Sequence, residues 1–287
     1  MRVLAFDTSN YTTSVASFDG TAGHNISRLL DVEQGALGLR QSDALFAHVK
    51  RLPELADRLF SDIGTDAGFE AVGVSTRPRA VEGSYMPCFL AGESQARVLG
   101  AALGVPVLPF SHQQGHIAAS LWGSGHMELM DEPHLAWHLS GGTTDISAGQ
   151  LIDRTGKLLG LPFPSGKHID ALSRSAQDRQ VFRVKVQGTT FSLSGVQNKV
   201  EQYHAAGNSP EETAGYALRC LIGAIVRATE NALLEYPGSS VVFAGGVASN
   251  TLLRSSCAAL PAVFCPPQFA TDNALGVAVL TWRALHG

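Results

Sequence analysis

The apolar residues of this chain alternate between short runs and longer amphipathic stretches, a pattern typical of a mixed α/β protein. Residues 3–6 and 134–139 form apolar runs of strand length. Each run leads through a turn rich in Ser, Thr and Gly into a second β-rich run, at 12–18 and 144–151. The sequence therefore predicts two β-hairpins, one near the N-terminus and one in the middle of the chain.

Further helices and strands follow from the same patterns. Apolar residues fall on one stripe of a helix that begins at Ser42, and Pro53 marks either a break in it or a second start. The other predicted strands cover 25–30, 71–75, 105–108 and 240–244, and the other long helices cover 92–103, 211–234 and 273–285. The order of strand, hairpin and helix begins again at His134. We therefore expect two α/β domains, 1–113 and 114–287, with the final helix packing back on the first.

Three polar turns share one architecture, at residues 7–13, 140–145 and 244–250. Turns built from Gly, Ser and Thr present backbone N–H groups and hydroxyls to an anion such as phosphate. The third turn differs because its strand ends in Gly245 and Gly246 and a helix begins near Asn250, which suits a nucleoside. This order of turns resembles the actin-like ATPase superfamily of sugar kinases and chaperone ATPases. That resemblance implies a ribonuclease H-like fold, with two duplicated α/β domains around a nucleotide cleft.

Composition limits the other functional classes. The 287 residues carry a net charge of −4 with a pI near 6.2, so the whole chain has no electrostatic footprint for nucleic acid. The four cysteines form no C-x-x-C pair, which indicates free thiols rather than disulfides or a zinc knuckle. The apolar start is too short for a signal peptide, and no apolar run approaches a membrane span. We expect a cytoplasmic protein without membrane contact.

Two histidines form a candidate metal site. His112 and His116 open a predicted helix at i, i+4 spacing, which puts both imidazoles on one face. Such a pair alone is a weak signal, since partly buried histidines near a helix start are common. Asp272, just before the final helix, is a candidate third ligand, although Asp is also a frequent helix N-cap.

Five segments together resemble the TsaD family, the tRNA threonylcarbamoyladenosine transferases once described as O-sialoglycoprotein endopeptidases. In chain order they are the His112/His116 pair, residues 139–143, residues 149–153 with 162–166, residues 191–195, and residues 245–250 with 271–273.

The resemblance implies roles for individual residues. Three match the family's metal ligands: His112, His116 and Asp272. The positions that match the family's site for threonylcarbamoyl-adenylate are Leu139, Ser140, Gly141, Gly142, Thr143, Asp153, Gly166, Asp170 and Asn250, and we add Gly245 and Gly246 from the nucleoside turn. The implied cofactors are one divalent metal ion, Fe or Zn, and an adenine nucleotide or acyl-adenylate. Carboxylates such as Asp153 and Asp170 suit ribose hydroxyls, and surface solvation or helix capping is the alternative for them.

The chain also departs from the family pattern. The run after Thr8 is Ser9-Asn10-Tyr11-Thr12, without the acidic residues that are usual there. Residues 76–83 contain two arginines in place of a loop rich in Gly and Pro, and these either bind an anion or are solvated. The family's Ser-Gly-Gly-His ends here in Thr143. The departures indicate a diverged paralogue and leave the catalytic residues unassigned.

The hypothesis that follows is a metal-dependent transferase that moves a threonylcarbamoyl or carbamoyl group from an adenylate donor, with tRNA adenosine as acceptor. We expect the protein to reach tRNA through a multi-protein complex. We also expect it to have a protein partner or to form a homodimer. The leading alternative is a non-catalytic actin-like paralogue that binds nucleotide and acts as a partner or regulator. A kinase using Asp7 or Asp145 as base leaves the paired histidines unexplained. A metalloprotease is disfavoured because H-x-x-x-H lacks the Glu of H-E-x-x-H.

His138 is a further candidate ligand. It lies two residues before Ser140 on the same predicted strand, so both side chains share one face. If Ser140 meets phosphate, His138 points toward the same cleft and adds an imidazole to the site, which would favour Zn²⁺, Fe²⁺ or Ni²⁺ over Mg²⁺. The alternative is an edge histidine that points away.

Overall fold

The computed structural model describes residues 1–9, 11–32, 39–64, 68–139 and 146–287. These residues divide into two compact units. The first contains residues 1–32, 39–130 and 268–287, and the second contains residues 131–267.

The first unit is built on one mixed sheet. Its strands are β1 (Arg2–Asp7), β2 (Thr12–Phe18), β3 (Gly23–Leu29), β4 (Phe69–Arg77) and β5 (Val107–Ser111). They lie in the order β3-β2-β1-β4-β5, with the β1–β2 and β2–β3 pairs antiparallel and the β1–β4 and β4–β5 pairs parallel. The predicted N-terminal hairpin is thus confirmed as β1–β2.

Helices cover both faces of this sheet. They are α1 (Gln41–Ile63), α2 (Phe89–Leu103), α3 (His112–Ser124) and α10 (Leu275–His286), and a short 3-10 helix covers Met127–Met130. Strand β1 alternates between the two faces. Leu4 and Phe6 pack in a core with α1 and α2, whereas Val3 and Ala5 pack in a core with α3 and α10. The sheet is therefore buried on both sides.

Helix α1 runs through Pro53 without interruption, so the predicted break is wrong. A proline removes the hydrogen bond to the carbonyl four residues earlier, here that of Val49. Both residues are exposed, so water can satisfy that carbonyl.

The boundary between the units falls after Met130, whereas the sequence suggested residue 113. Helix α3 belongs to the first unit because it packs closely against α10. A Cβ atom built on Gly276 of α10 would lie 1.8 Å from the carbonyl oxygen of Gly115 in α3, so the two backbones are in direct contact.

The second unit has a parallel sheet in the order β10-β9-β6, formed by β6 (Leu135–His138), β9 (Val241–Ala244) and β10 (Ala262–Phe264). Its helices are α4 (Ala148–Leu158), α5 (Gly166–Ser173), α6 (Ser194–Ala205), α7 (Pro210–Glu235) and α8 (Thr251–Ser256). A small hairpin joins β7 (Val186–Gln187) to β8 (Thr190–Phe191), a 3-10 helix covers Gly246–Ser249, and one helical turn, α9 (Pro267–Ala270), leads back to the first unit. Helix α7 is the centre of the core, and buried positions recur along it from Thr213 to Ala232.

The predicted β-rich run at 144–151 is wrong where the structure describes it, because α4 begins at Ala148. Ser147 caps this helix by accepting the N–H of Gln150, and the Gln150 side chain returns a bond to the N–H of Ser147. This capping box outweighs the local β propensity. Among the described residues, none of the helices is long and apolar enough to span a membrane.

Candidate metal centre and nucleotide-binding turns

Three parallel strands of the first unit end side by side. The pairing of β1 with β4 and of β4 with β5 brings the carboxyl ends of these strands to one edge of the sheet. Asp7 ends β1, Ser75 lies near the end of β4, and His112 follows β5 directly. Ligand sites form preferentially at such edges.

Helix α3 begins at this edge and holds both histidines. Ser111 caps it by accepting the N–H of Gln114, whose side chain returns a bond to the N–H of Ser111. One helical turn separates His112 from His116, so their imidazoles project from the same face. Both side chains are buried, which confirms the predicted helix start and the shared face.

Asp272 lies near these two histidines although it is close to the other end of the chain. The backbone N–H of Ala274 donates to Ser14 Oγ at 2.8 Å and to Asn25 Oδ1 at 3.1 Å, which fixes the start of α10 to strands β2 and β3. The close approach of Gly115 and Gly276 fixes α10 to α3. The segment that carries Asp272 is therefore held on two sides.

The structure brings together one donor atom from each of the three residues that the resemblance names as metal ligands. Nε2 of His112 lies 3.0 Å from Nε2 of His116, and Oδ1 of Asp272 lies 3.2 Å from His116 Nε2 and 3.5 Å from His112 Nε2. Bonds of 2.0–2.2 Å with tetrahedral angles would put the ligand atoms of one metal ion about 3.3 Å apart. The triangle thus has the dimensions of three ligands around a single ion.

The carboxylate of Asp7 orients the first histidine, a role that the sequence analysis missed. Its Oδ2 lies 2.8 Å from Nδ1 of His112. Its Oδ1 accepts hydrogen bonds from Ser75 Oγ at 2.6 Å and from the backbone N–H of Ser9 at 3.0 Å. A carboxylate on the far nitrogen of a ligand histidine fixes the tautomer and the ring orientation. The only signal for it in the sequence was an acidic residue at the end of a buried strand.

The site is electrostatically coupled. Burial disfavours a charged imidazole, but the carboxylates of Asp7 and Asp272 outweigh it and raise the pKa of His112 to about 10. Burial together with the neighbouring His112 charge lowers the pKa of His116. The pKa of Asp7 and that of Asp272 are both lowered, since hydrogen bonds and charge from the histidines overcome the burial of the carboxylates. The cluster therefore holds two carboxylates against one charged imidazole, and its net negative charge suits a cation.

In the second unit, the carboxyl ends of β6 and β9 lie side by side, and the predicted nucleoside turn at residues 244–250 follows β9. These strands are parallel, with His138 opposite Ala244, and the N–H of Leu139 donates to the carbonyl of Ala244 at 3.0 Å. Gly245 has φ of 86°, a conformation that requires glycine, while a Cβ atom on Gly246 would meet no atom within 4 Å. Gly246 thus leaves open space beside the strand end. The predicted residues Ser140, Gly141, Gly142 and Thr143 lie outside the described residues.

Asp170 and Asn250 lie together beside this turn. Asn250 Nδ2 donates to Asp170 Oδ1 at 2.8 Å, and the backbone N–H and hydroxyl of Thr251 donate to the same oxygen at 2.9 Å. Asn250 also caps α8 by accepting the N–H of Leu253. Asp170 therefore positions the start of α8, the capping role that the sequence analysis kept as an alternative.

Asp153 lies on α4 next to the start of α5. Its Oδ1 accepts the backbone N–H of Ser165 at 2.8 Å, and burial raises the pKa of its carboxyl. Gly166 is the first residue of α5, with open space at its Cα. His138 is the last residue of β6 and is half-buried, and its role as a metal ligand stays a prediction.

Comparisons with known proteins identify the family of the chain. The family model described as TsaD, tRNA N6-adenosine threonylcarbamoyltransferase, matches residues 34–279. A protein of that name from Streptococcus suis strain 05ZYH33 is 30% identical over 307 aligned residues, which cover 95% of this chain and 89% of the relative. One from Carboxydothermus hydrogenoformans is 30% identical over 315 residues, covering 99% and 93%.

Solved structures confirm the predicted fold class, an actin-like ATPase fold. Full-length HypF in its phosphate- and nucleotide-bound form superposes with a TM-score of 0.63 at 13% identity, covering 99% of this chain and 47% of HypF. The present chain thus spans about half the length of that protein. The activator of 2-hydroxyisocaproyl-CoA dehydratase from Clostridium difficile, with bound ADPNP, superposes with a TM-score of 0.51 at 13% identity and covers 100% and 96%. At these identities the solved structures show the fold alone. The family model and the sequence relatives show the family, and the chain belongs to the TsaD family.

Proposed function

We propose that this protein is a metal-dependent transferase that moves a threonylcarbamoyl or carbamoyl group from an adenylate donor to an adenosine of tRNA. The observation that carries the proposal is the convergence of His112, His116 and Asp272 in a chain of the TsaD family. A purely structural pair of buried histidines would not need a third donor at ligand distance from both.

The donor set fits a transition metal. Two imidazole nitrogens and one carboxylate oxygen suit Fe²⁺ or Zn²⁺ better than Mg²⁺, which prefers oxygen ligands and keeps several waters. Three protein ligands also leave a position open for substrate, as in catalytic rather than structural zinc sites. When bound, such an ion supplies a Lewis acid that polarises a carbonyl or phosphoryl oxygen of the donor.

The chain's own residues hold and aim this centre. His112 and His116 present Nε2, and Asp7 accepts the Nδ1 proton of His112 so that the ring cannot turn away. Ser75 and the N–H of Ser9 fix Asp7 in turn. The ligands are therefore preorganised before any ion binds.

The nucleotide part of the donor is assigned to the second unit. Gly245 and Gly246 give the backbone close access at the end of β9, and Leu139 lies at the end of the neighbouring strand β6. The assignment of Asp153, Gly166, Asp170 and Asn250 to the same ligand rests on the family resemblance. We expect a protein partner or a second copy in the assembly that meets tRNA, because the net charge of the chain is negative.

The test is reconstitution. The purified full chain, loaded with Fe²⁺ or Zn²⁺, is mixed with donor-synthesising enzymes, family partner proteins and an unmodified tRNA transcript, and the nucleosides are analysed by mass spectrometry. We expect a threonylcarbamoyl or carbamoyl adduct on adenosine, lost in His116→Ala. His126→Ala is the matched control, because His126 pairs with Glu128 on the surface of the same unit.

Two results would contradict the proposal. If the loaded protein binds an adenine nucleotide but transfers nothing to any tRNA, the non-catalytic paralogue becomes the better description. If His116→Ala transfers as well as the wild type, the metal has no part in the reaction. His138→Ala should retain less metal than the wild type after dialysis against a weak chelator, but more than His112→Ala. Equal retention in the wild type and His138→Ala would remove His138 from the site.

A further inference from the structure

A non-helical segment of the second unit, residues 177–188, runs along helix α7, and we call it the strap. Side chains of α7 bond its main chain from one end to the other. The Glu212 carboxylate accepts the N–H groups of Gln177 (2.7 Å) and Asp178 (3.0 Å), Cys220 Sγ accepts that of Phe182 (3.2 Å), and Arg219, Arg227 and Asn231 donate to the carbonyls of Gln180 (3.1 Å), Val184 (2.9 Å) and Gly188 (2.8 Å).

The strap is held in a drawn-out, non-helical conformation. From Glu212 to Asn231 the helix advances about 29 Å, at 1.5 Å per residue. The strap covers the same length between Gln177 and Gly188, which is about 2.6 Å per residue, compared with about 1.5 Å per residue in a helix and about 3.3–3.6 Å in a fully extended chain. In addition, the hydroxyl of Tyr203 on α6 donates to the carboxylate of Asp178. One face of the strap is therefore fixed against helices, and the other is presented to solvent.

The outer face is basic and partly apolar. Arg179, Arg183 and Lys185 are exposed, whereas Val184 between the last two is buried. Among the described residues no ion pair neutralises these three cations. Phe182 is 36% exposed beside them. A groove of about 470 Å³ runs along the same side, lined by Arg183, Lys185 and Arg227 together with Glu230 and Asn231.

The charge of the strap contrasts with that of the whole chain. The strap holds three cations against one acid, Asp178, in a protein whose net charge is −4. Holding three cations in a row, none of them in an ion pair among the described residues, costs free energy through mutual repulsion. A polyanion offsets this cost and gains further by releasing its own counter-ions. An exposed phenylalanine among cations also offers a stacking surface for an unpaired base, which an acidic peptide does not need.

We infer that the strap binds the sugar-phosphate backbone of the acceptor RNA. This inference rests on the proposed function, because it takes an RNA as the substrate. Arg179, Arg183 and Lys185 contact phosphates, Phe182 meets a splayed base, and α7 keeps the row in place while the RNA docks. The strap thus supplies the local positive surface that the net charge of the chain does not.

The experiment measures binding of a fluorescently labelled, unmodified tRNA transcript to the full chain by anisotropy at several salt concentrations. The variant carries Arg179→Gln, Arg183→Gln and Lys185→Gln. The matched control removes the same number of charges from exposed positions of the first unit, with Lys50→Gln, Arg58→Gln and Arg97→Gln. We expect the strap variant to bind about 10- to 100-fold more weakly near physiological salt and to lose about 2–3 units of the log–log salt slope. The control should keep the wild-type slope.

The outcomes separate this inference from the proposed function. If the wild type binds and modifies tRNA but the strap variant does so equally well, or if the control loses as much affinity as the variant, the strap is not the RNA surface. If polyglutamate displaces the tRNA at equal charge concentration, the surface fits an acidic protein and the inference is overturned. If the wild type alone binds no tRNA even at low salt, the strap inference is overturned, whereas the proposed function fails only if the reconstituted assembly transfers nothing to tRNA. The charge-conserving variant Arg179→Lys with Arg183→Lys should bind tRNA as the wild type does. Equal melting temperatures show that the variants are folded.

Discussion

The packing of α3 against α10 offers a sharp test of how this fold builds its metal site. Gly276→Ala adds one methyl group at the second residue of α10. The new Cβ atom would lie 1.8 Å from the carbonyl oxygen of Gly115, 2.7 Å from its carbonyl carbon and 2.8 Å from the backbone nitrogen of Ala119. All three neighbours are backbone atoms, so no side chain can rotate away. The helices must separate by about 1.5 Å at this point to restore van der Waals contact.

The added methyl group lowers the free energy of unfolding because it overpacks the contact between the two helices. Overpacking in a close-packed core typically costs 1–3 kcal/mol, and a backbone neighbour puts this site at the upper end, so we expect about 3 kcal/mol. In a chain of this size that lowers the melting temperature by about 6–12 °C. Because His116 follows Gly115 directly and Asp272 lies four residues before Gly276, the same shift should spread the ligand triangle and reduce bound metal.

The assay is thermal unfolding followed by circular dichroism, with metal content measured on the same samples. Gly195→Ala is the matched control, since Gly195 is also the second residue of its helix and a Cβ atom there meets nothing within 4 Å. The control should melt within about 2 °C of the wild type, because alanine is the better helix former. If Gly276→Ala melts like the control and keeps its metal, the close approach of α3 and α10 does not set the site.

Three further predictions concern the site and the strap. Asp7→Asn should lower metal affinity about 10- to 100-fold by releasing His112, as measured by metal content after graded chelator dialysis; unchanged content would refute the orienting role. Gly246→Val should abolish adenine-nucleotide binding in calorimetry without lowering the melting temperature, because the position is open and its backbone unstrained. The hydrogen bond from Tyr203 lowers the pKa of Asp178. Tyr203→Phe should therefore reduce the urea stability at pH 7, and the deficit should shrink as the pH falls below 3.8 and the carboxylate of the wild type is protonated; a deficit independent of pH would contradict this.

Local patterns were sufficient for most of the secondary structure. The helix predicted at 211–234 is α7 (Pro210–Glu235), and the strand predicted at 240–244 is β9 (Val241–Ala244). These elements are long or strongly apolar, so periodicity alone identifies them. The error at 144–151 arose where a capping box, Ser147 with Gln150, competes with β-forming residues in a short run. The residues of the capping box can be recognised in the sequence. The sequence does not show whether the box or the β propensity of its neighbours prevails.

The sequence by itself determined that His112 and His116 share a helix face, because four residues make about one helical turn and both lie within one short segment. It also determined that glycine-rich segments follow the apolar runs at residues 134–139 and 240–244, since each segment is adjacent to its run in the chain. Only the tertiary structure decided that Asp7, 105 residues before His112, accepts its Nδ1 proton, and that Asp272, 156 residues after His116, completes the triangle. The family resemblance had named Asp272, but no local pattern could bring it there. The physical reason is that these contacts depend on which strands lie side by side and on how closely Gly115 and Gly276 allow two helices to approach, and such packing is a property of the whole core rather than of any window of the sequence.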